Sequence, residues 1–304
     1  MIFLFKGKIQ CGRKEWRDMY CKFTSLLNFL ITLYKPSKRK FIPTGYNGDK
    51  KALIDIYTIA FNNAEFIKNQ ILLIKLRFKD PHKHFIIDNS SDVLIREKLI
   101  KICKQHQVAY IGLPTINYSP NKSHAMAMHW TFAHLIKKRK PKFFCFLDHD
   151  IFPIKDFSFL DKMKNGIYGR IMHLYTQNGY VEQISNSYPY WSIWAGFCFF
   201  DYKLFKDIKS YKINFFSKRF EGKGFLDTGG GLWEKIYSKI PYPKKMANFE
   251  VLNFREGAKE DLQSSSFELI DGWIHFVSLS NWRPTSNLEE KIEKFNEIIG
   301  KLDN

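Results

Sequence analysis

With 304 residues, 45% of them hydrophobic and 17% aromatic, the chain can bury one large α/β core or two closely merged halves, which excludes a disordered protein. Its 48 Lys and Arg against 30 Asp and Glu leave a net charge of +18, so an anionic partner is expected: membrane lipid, phosphorylated substrate or nucleic acid. Five cysteines (Cys11, Cys21, Cys103, Cys145, Cys198) have no C-x-x-C spacing, which argues against a zinc site and for a reducing, cytoplasmic compartment.

Met1 to Phe5 is apolar but runs at once into Lys6 and Lys8, so no signal peptide is expected. Phe23 to Tyr34 is shorter than the roughly 20 residues that span a bilayer. It reads as an amphipathic helix flanked by Arg13, Lys14, Arg17 and Lys22 and by Lys35, Lys38, Arg39 and Lys40. Such a helix suits either the headgroups of an anionic membrane inner face or packing on the following domain. Pro36 to Lys51, with Pro43, Gly45, Asn47 and Gly48, reads as a linker, so residues 1–50 form a basic extension.

From residue 51 the pattern becomes regular. Leu53 to Phe61 predicts a strand, Asn62-Asn63 a turn, and Ala64 to Leu76 a helix with Ile67, Ile71 and Ile74 at helical spacing. Phe85 to Ile87 predicts a strand ending in Asp88-Asn89-Ser90-Ser91-Asp92, followed by a helix over Val93 to His106 and a strand over Val108 to Leu113. This alternation predicts a parallel sheet with right-handed crossovers. A helix bearing His124, Met126, His129 and Trp130 precedes Phe143 to Leu147, an unbroken apolar run expected to be a buried central strand. It ends in Asp148-His149-Asp150. Two carboxylates one residue apart at a strand end can converge on one hard cation, while the competing reading is a plain loop start or helix cap.

The order IDIYTIAFNNAEFIKNQ, FIIDNSSD, SHAMAMHWTF, FFCFLDHDIFPI resembles the nucleotide-sugar-binding half of GT-A glycosyltransferases, nearest to the inverting family-two-like enzymes, over roughly Leu53 to Pro153. The resemblance implies a Rossmann-like, mostly parallel sheet flanked by helices. It implies donor contacts from Asn62, Asn63 and Asp88 and a Mn²⁺ or Mg²⁺ ion on Asp148 and Asp150, while His124, at a helix start, is read from its position as near the donor. Ser123 to Met128 stands where many relatives carry a Gly-rich or Ala-Arg-Asn segment.

Residues 51–153 are thus read as a donor-binding half and 154–304 as an acceptor-binding, catalytic half. In the latter, Tyr188 to Phe200 reads as a loop entering a buried strand, with Trp191 and Trp194 as candidates to line a sugar site. Asp227, before Thr228 and three glycines, is placed like the catalytic base of inverting relatives, with Glu234 in reserve and a helix expected from about Leu232. Phe267 to Ile270 and Trp273 to Val277 read as short strands. The resemblance makes His275 a third metal ligand, Arg283 is a candidate phosphate contact, and Leu288 to Leu302 is a closing helix.

The expected activity is transfer of a sugar from a UDP- or GDP-linked donor to a glycan or lipid-linked acceptor, with inversion. Two other readings are a metal-dependent nuclease or phosphotransferase on Asp148 and Asp150, and a non-catalytic membrane or glycan adaptor. Nucleic acid is the less favoured partner, because no recognised nucleic-acid motif accompanies the charge.

Overall fold

The structure, a computed structural model, describes residues 35–37, 39–44, 46, 52–114, 119–176, 179–180, 190–243, 246–253, 266–277 and 288–301, with Leu30 and Leu33 before them. The chain divides into two compact units, Met1–Lys35 and Pro36–Asn304, and everything below concerns the second. Apart from Leu30 and Leu33, the expected amphipathic helix at Phe23 to Tyr34 lies outside the described residues, as does the candidate Arg283. No helix among the described residues is long and apolar enough to cross a membrane.

Strands β1 (Arg39–Phe41), β2 (Ile54–Ala60), β3 (His82–Asp88), β4 (Ala109–Gly112), β5 (Phe143–Asp148), β7 (Ile167–His173) and β10 (Trp191–Asp201) form one seven-stranded sheet in the order β1-β4-β3-β2-β5-β10-β7. The four inner strands β4, β3, β2 and β5 run parallel, and β1, β10 and β7 pair antiparallel at the two sides. Each parallel step is bridged by a helix: α1 (Ala64–Arg77), α2 (Val93–Gln105) and α3 (Pro120–Thr131). Helix α1 is capped by the Asn63 side chain on Phe66 N, and α2 by Asp92 on Leu94 N and Ile95 N. Helix α3 starts on Pro120, passes through a π-turn at Phe132–Ile136 and stops at Lys140 in a left-handed conformation.

The mostly parallel sheet and its flanking helices match the expected fold class. Two stretches differ from expectation. The predicted linker contains β1, a short Lys-bearing strand at the sheet edge, which is how natural sheets blunt an edge. β3 begins three residues earlier than its apolar run. His84 there is buried and lies 2.9 Å from the Thr58 hydroxyl, which donates to Gln70, so burial holds the imidazole neutral, its pKa lowered to about 3.

Chain order sets where a ligand can sit. From β2 the chain moves to β3 and β4 on one side, then returns to place β5 on the other, so a crevice opens outside the carboxyl ends of β2 and β5. Asn62 follows β2, and Asp148 ends β5. Two small antiparallel sheets lie beyond: β13 (Phe249–Asn253), β14 (Ser266–Ile270), β15 (Trp273–His275) and β6 (Ile151–Pro153) form one. The other holds β11 (Lys218–Phe220), β12 (Gly224–Leu226), β8 (Tyr175–Thr176) and β9 (Gly179–Tyr180). The final helix is α4 (Leu288–Gly300).

Candidate functional site

β5 delivers Asp148 at its last position and β6 starts at Ile151, so Asp148-His149-Asp150 forms the turn between two sheets. The turn is pinned from α1: Gln70, a lone buried amide between Ile67 and Ile71, donates to Asp148 O at 2.8 Å and Ile151 O at 2.7 Å. Phe276 N donates to Asp150 O at 2.8 Å from the other side.

Asp148 is half-buried against β10 at Gly196. A Cβ there would sit 2.3 Å from Asp148 Oδ2 and 2.4 Å from Trp194 Cζ2, so only glycine lets the carboxylate lie on this backbone. Gly196 falls in a β-bulge, since the β10–β7 register shifts between Ile193 and Cys198. We expect Gly196→Ala to displace Asp148 and abolish any metal-linked thermal stabilisation. A melting curve with and without Mn²⁺ measures this; full Mn²⁺ stabilisation of the variant would refute the role.

Asp150 is buried beside His275, whose Nε2 lies 3.6 Å from Asp150 Oδ1. His275 reaches it because β15 pairs with β6, His275 opposite Ile151. The other ring nitrogen, Nδ1, lies 2.7 Å from Glu268 Oε2, and Arg170 donates to the same oxygen at 2.6 Å. Trp194 lies against the His275 ring at 4.5 Å between centroids, with the Arg170 guanidinium 5.9 Å from the indole. Burial alone would neutralise His275, yet Asp150 and Glu268 raise its pKa to about 9. Burial likewise works against ionised Glu268, which His275 and Arg170 nevertheless pull down to about 2. Burial raises the Asp148 carboxyl, opposed by His124, whereas Asp150 is held below its usual range against burial by His275.

These shifts give a stability prediction for the metal-free protein. A histidine whose folded-state pKa lies above its ordinary 6.5 contributes fully below pH 6.5 and loses that contribution as pH rises through about 9. The melting temperature of the parent should therefore fall relative to His275→Gln between pH 6.5 and 9. Parallel pH profiles for the two proteins would contradict the imidazolium assignment.

Helix α3 supplies the third side of the crevice. His124 Nε2 lies 3.2 Å from Asp148 Oδ1, and Asn121, one turn earlier on the same face, lies 3.4 Å through Nδ2 from Asp227 Oδ1. Thr228 N also donates to Asp227 Oδ1, at 2.7 Å. The glycine turn after Asp227 packs on β10, where a Cβ on Gly229 would meet Ile193 O and Ala195. Asp148, Asp150, His124, His275, Trp194 and Asp227 are thus carried by segments that meet around the bulge of β10 and the start of α3.

Other candidates are placed differently. Asp88 ends β3 as expected, but it is fully buried, with Oδ2 accepting from the Tyr110 hydroxyl at 2.6 Å and Oδ1 from Ser90 N at 2.8 Å. Its carboxylate organises the loop and is not presented to a donor. Asn62, at φ 47°, bonds Ser91 and Asp92 through its side chain and Ser90 through its backbone and so ties the two loops together, whereas Asn63 caps α1. Trp191 is buried in the core against Tyr237 and Tyr242: it shares a strand face with Ile193 and Ala195, opposite to Trp194, and cannot line the crevice. Glu234 is exposed and paired with Lys218 at 2.5 Å, so the reserve base is committed to a surface ion pair. In place of the helix expected from Leu232 stand two 3-10 turns, Gly230–Leu232 and Tyr237–Lys239.

Four side chains of the site escaped the sequence reading: Glu268, Arg170, Gln70 and Asn121. Glu268 was within reach: Asp271-Gly272, with φ of 46° and 83°, is a two-residue hairpin turn, and counting outward from it pairs Glu268 with His275.

Among the described residues no three His, Cys, Asp or Glu converge as a formed metal cluster. The donor set nevertheless suits a divalent cation, with two crevice carboxylates and an imidazole whose Nδ1 is fixed by a carboxylate, leaving Nε2 directed at Asp150.

No protein-family model and no curated protein sequence matches the chain. Among solved structures it is similar to the bifunctional glycosyltransferase WbbM in its apo form, at 11% identity and a TM-score of 0.39, over 63% of this chain and 39% of that one. It is similar to the mannosyltransferase Ktr4p from S. cerevisiae, at 11% identity and a TM-score of 0.33, over 62% and 67% of the two chains. A third is the mannosyltransferase PcManGT from Pyrobaculum calidifontis in complex with GDP-Man and Mn²⁺, at 12% identity and a TM-score of 0.33, over 62% and 54%. The chain therefore spans well under two thirds of the first of these proteins.

Proposed function

We propose that this chain is a GT-A-like glycosyltransferase that moves a hexose from a UDP- or GDP-linked donor to a glycan or lipid-linked acceptor with inversion. The observation that carries the reading is the double engagement of α3: one turn of helix holds Asp227 through Asn121 and Asp148 through His124. An inverting transfer uses that pairing, a carboxylate free to accept a proton on one side and a cluster able to hold a cation against the leaving group on the other.

In this reading Asp227 takes the proton of the acceptor hydroxyl as its oxygen bonds to the anomeric carbon, and the bond from that carbon to phosphate breaks with its electron pair on the nucleoside diphosphate. Asp148, Asp150 and His275 would hold Mn²⁺ or Mg²⁺, which when bound offsets the charge of the leaving group. Glu268 and Arg170 fix the orientation of His275. His124 keeps Asp148 at the crevice wall. Trp194 covers the His275 side and limits water. Arg283 remains a candidate for the diphosphate, and the basic amino-terminal segment for an anionic membrane surface on the cytoplasmic side.

Calorimetric titration with UDP and GDP, each with Mn²⁺ and with EDTA, tests the donor half. One nucleotide should bind only with the metal; binding of neither, or equal binding in EDTA, would contradict it.

A further inference from the structure

The small sheet beside Asp227 carries an exposed ring that the core does not require. Phe225 on β12 is 37% exposed, whereas the next residue, Leu226, is fully buried, so strand alternation puts Phe225 on the outer face and Leu226 on the inner, and Asp227 follows directly after the strand. Tyr175 lies directly opposite Phe225 across the β8–β12 ladder, its ring stacked at 5.3 Å between centroids with an interplanar angle of 19°. On the other side β11 pairs Arg219 with Phe225, which places an exposed guanidinium on the same face as the ring. Arg219 has no acidic partner among the described residues, whereas neighbouring Lys218 is neutralised by Glu234.

We infer that Phe225, backed by Tyr175, is a stacking platform for a pyranose ring of the acceptor, and that Arg219 receives an anionic substituent on that sugar. The inference rests on the glycosyltransferase reading for the role of the sugar as acceptor. An aromatic face offers a pyranose broad apolar contact at little entropic cost, and its hydroxyls keep their water. A planar guanidinium matches a carboxylate or phosphate at two points. Asp227 follows Phe225 by two residues, so a sugar held on the platform is brought next to the segment that carries the proposed base.

Saturation-transfer NMR tests this without donor or metal, using methyl β-D-glucoside and methyl β-D-galactoside against methyl β-D-glucuronide and methyl β-D-galacturonide. The parent should bind at least one uronide about tenfold more tightly than its neutral counterpart. Phe225→Ala should lose that binding, Phe225→Tyr should keep it, and Arg219→Gln should erase the preference for the uronide, with circular dichroism melts near the parent. Saturation of none of the four, no preference for uronides, or unchanged binding in Phe225→Ala overturns the inference. Since nucleotide-sugar turnover is read separately, a failed acceptor platform and a failed transferase reading give different results.

Discussion

Asp150→Asn is expected to lose at least about 100-fold in Mn²⁺-dependent nucleotide affinity, since even outer partners of a metal ligand are worth about 10- to 100-fold. Asp150 is buried, with its Oδ1 on His275 and its backbone carbonyl on Phe276. The amide fills the same space but offsets none of the charge of a cation, and it leaves the His275–Glu268 pair without its second anion. The loss should be specific to the metal-dependent component, and the melting temperature at pH 9, where His275 is losing its proton, should stay near that of the parent. Calorimetry with Mn²⁺ held at several concentrations measures both quantities. Parental nucleotide affinity at every Mn²⁺ concentration would remove Asp150 from the account.

Asp227→Asn should behave in the opposite way. A general base contributes only as the proton moves, so the variant should lose about 10²- to 10⁴-fold in transfer rate and keep its nucleotide and metal affinity. Asp227 is well placed for this, half-buried and steadied by Thr228 N and Asn121. Asn121→Ala is a milder companion, loosening the carboxylate without removing it. If added Mn²⁺ restores Asp227→Asn, the residue serves the metal and not the proton. If it keeps full rate, the base lies elsewhere, and the ion pair of Glu234 with Lys218 makes that residue a poor substitute.

How much of this was legible in the chain depended on whether the signal was local. The strands from Ile54 to Asp148 announce themselves because buried parallel strands are dominated by apolar residues, and the helices between them repeat at helical spacing. The Asp148-His149-Asp150 edge and His275 stand out for the same reason, as polar residues that end or interrupt apolar stretches. What stayed hidden depends on register. Trp191 and Trp194 look alike in sequence, but they are three residues apart on a strand and so point to opposite faces, a parity that the bulge at Gly196 then changes for Phe197 and Phe199. Asp88 reads as a ligand contact until Tyr110, on the neighbouring strand, is found on its carboxylate. Gln70 gives a weaker clue, a single amide on the apolar face of α1, explained by the Thr58 hydroxyl and by two carbonyls roughly 80 positions away.

If this crevice activates a nucleotide sugar as proposed, donor hydrolysis reads it most directly. Released nucleotide should be measured for UDP-glucose, UDP-galactose, UDP-N-acetylglucosamine, GDP-mannose and GDP-fucose, each in Mn²⁺ and in EDTA. Mn²⁺-dependent release is expected from at least one donor, abolished in EDTA and reduced at least about 100-fold by Asp150→Asn. Binding without turnover of any donor would indicate an adaptor on the same fold, and cleavage of nucleic acid in Mn²⁺ with no donor turned over would indicate a nuclease; either result contradicts the account.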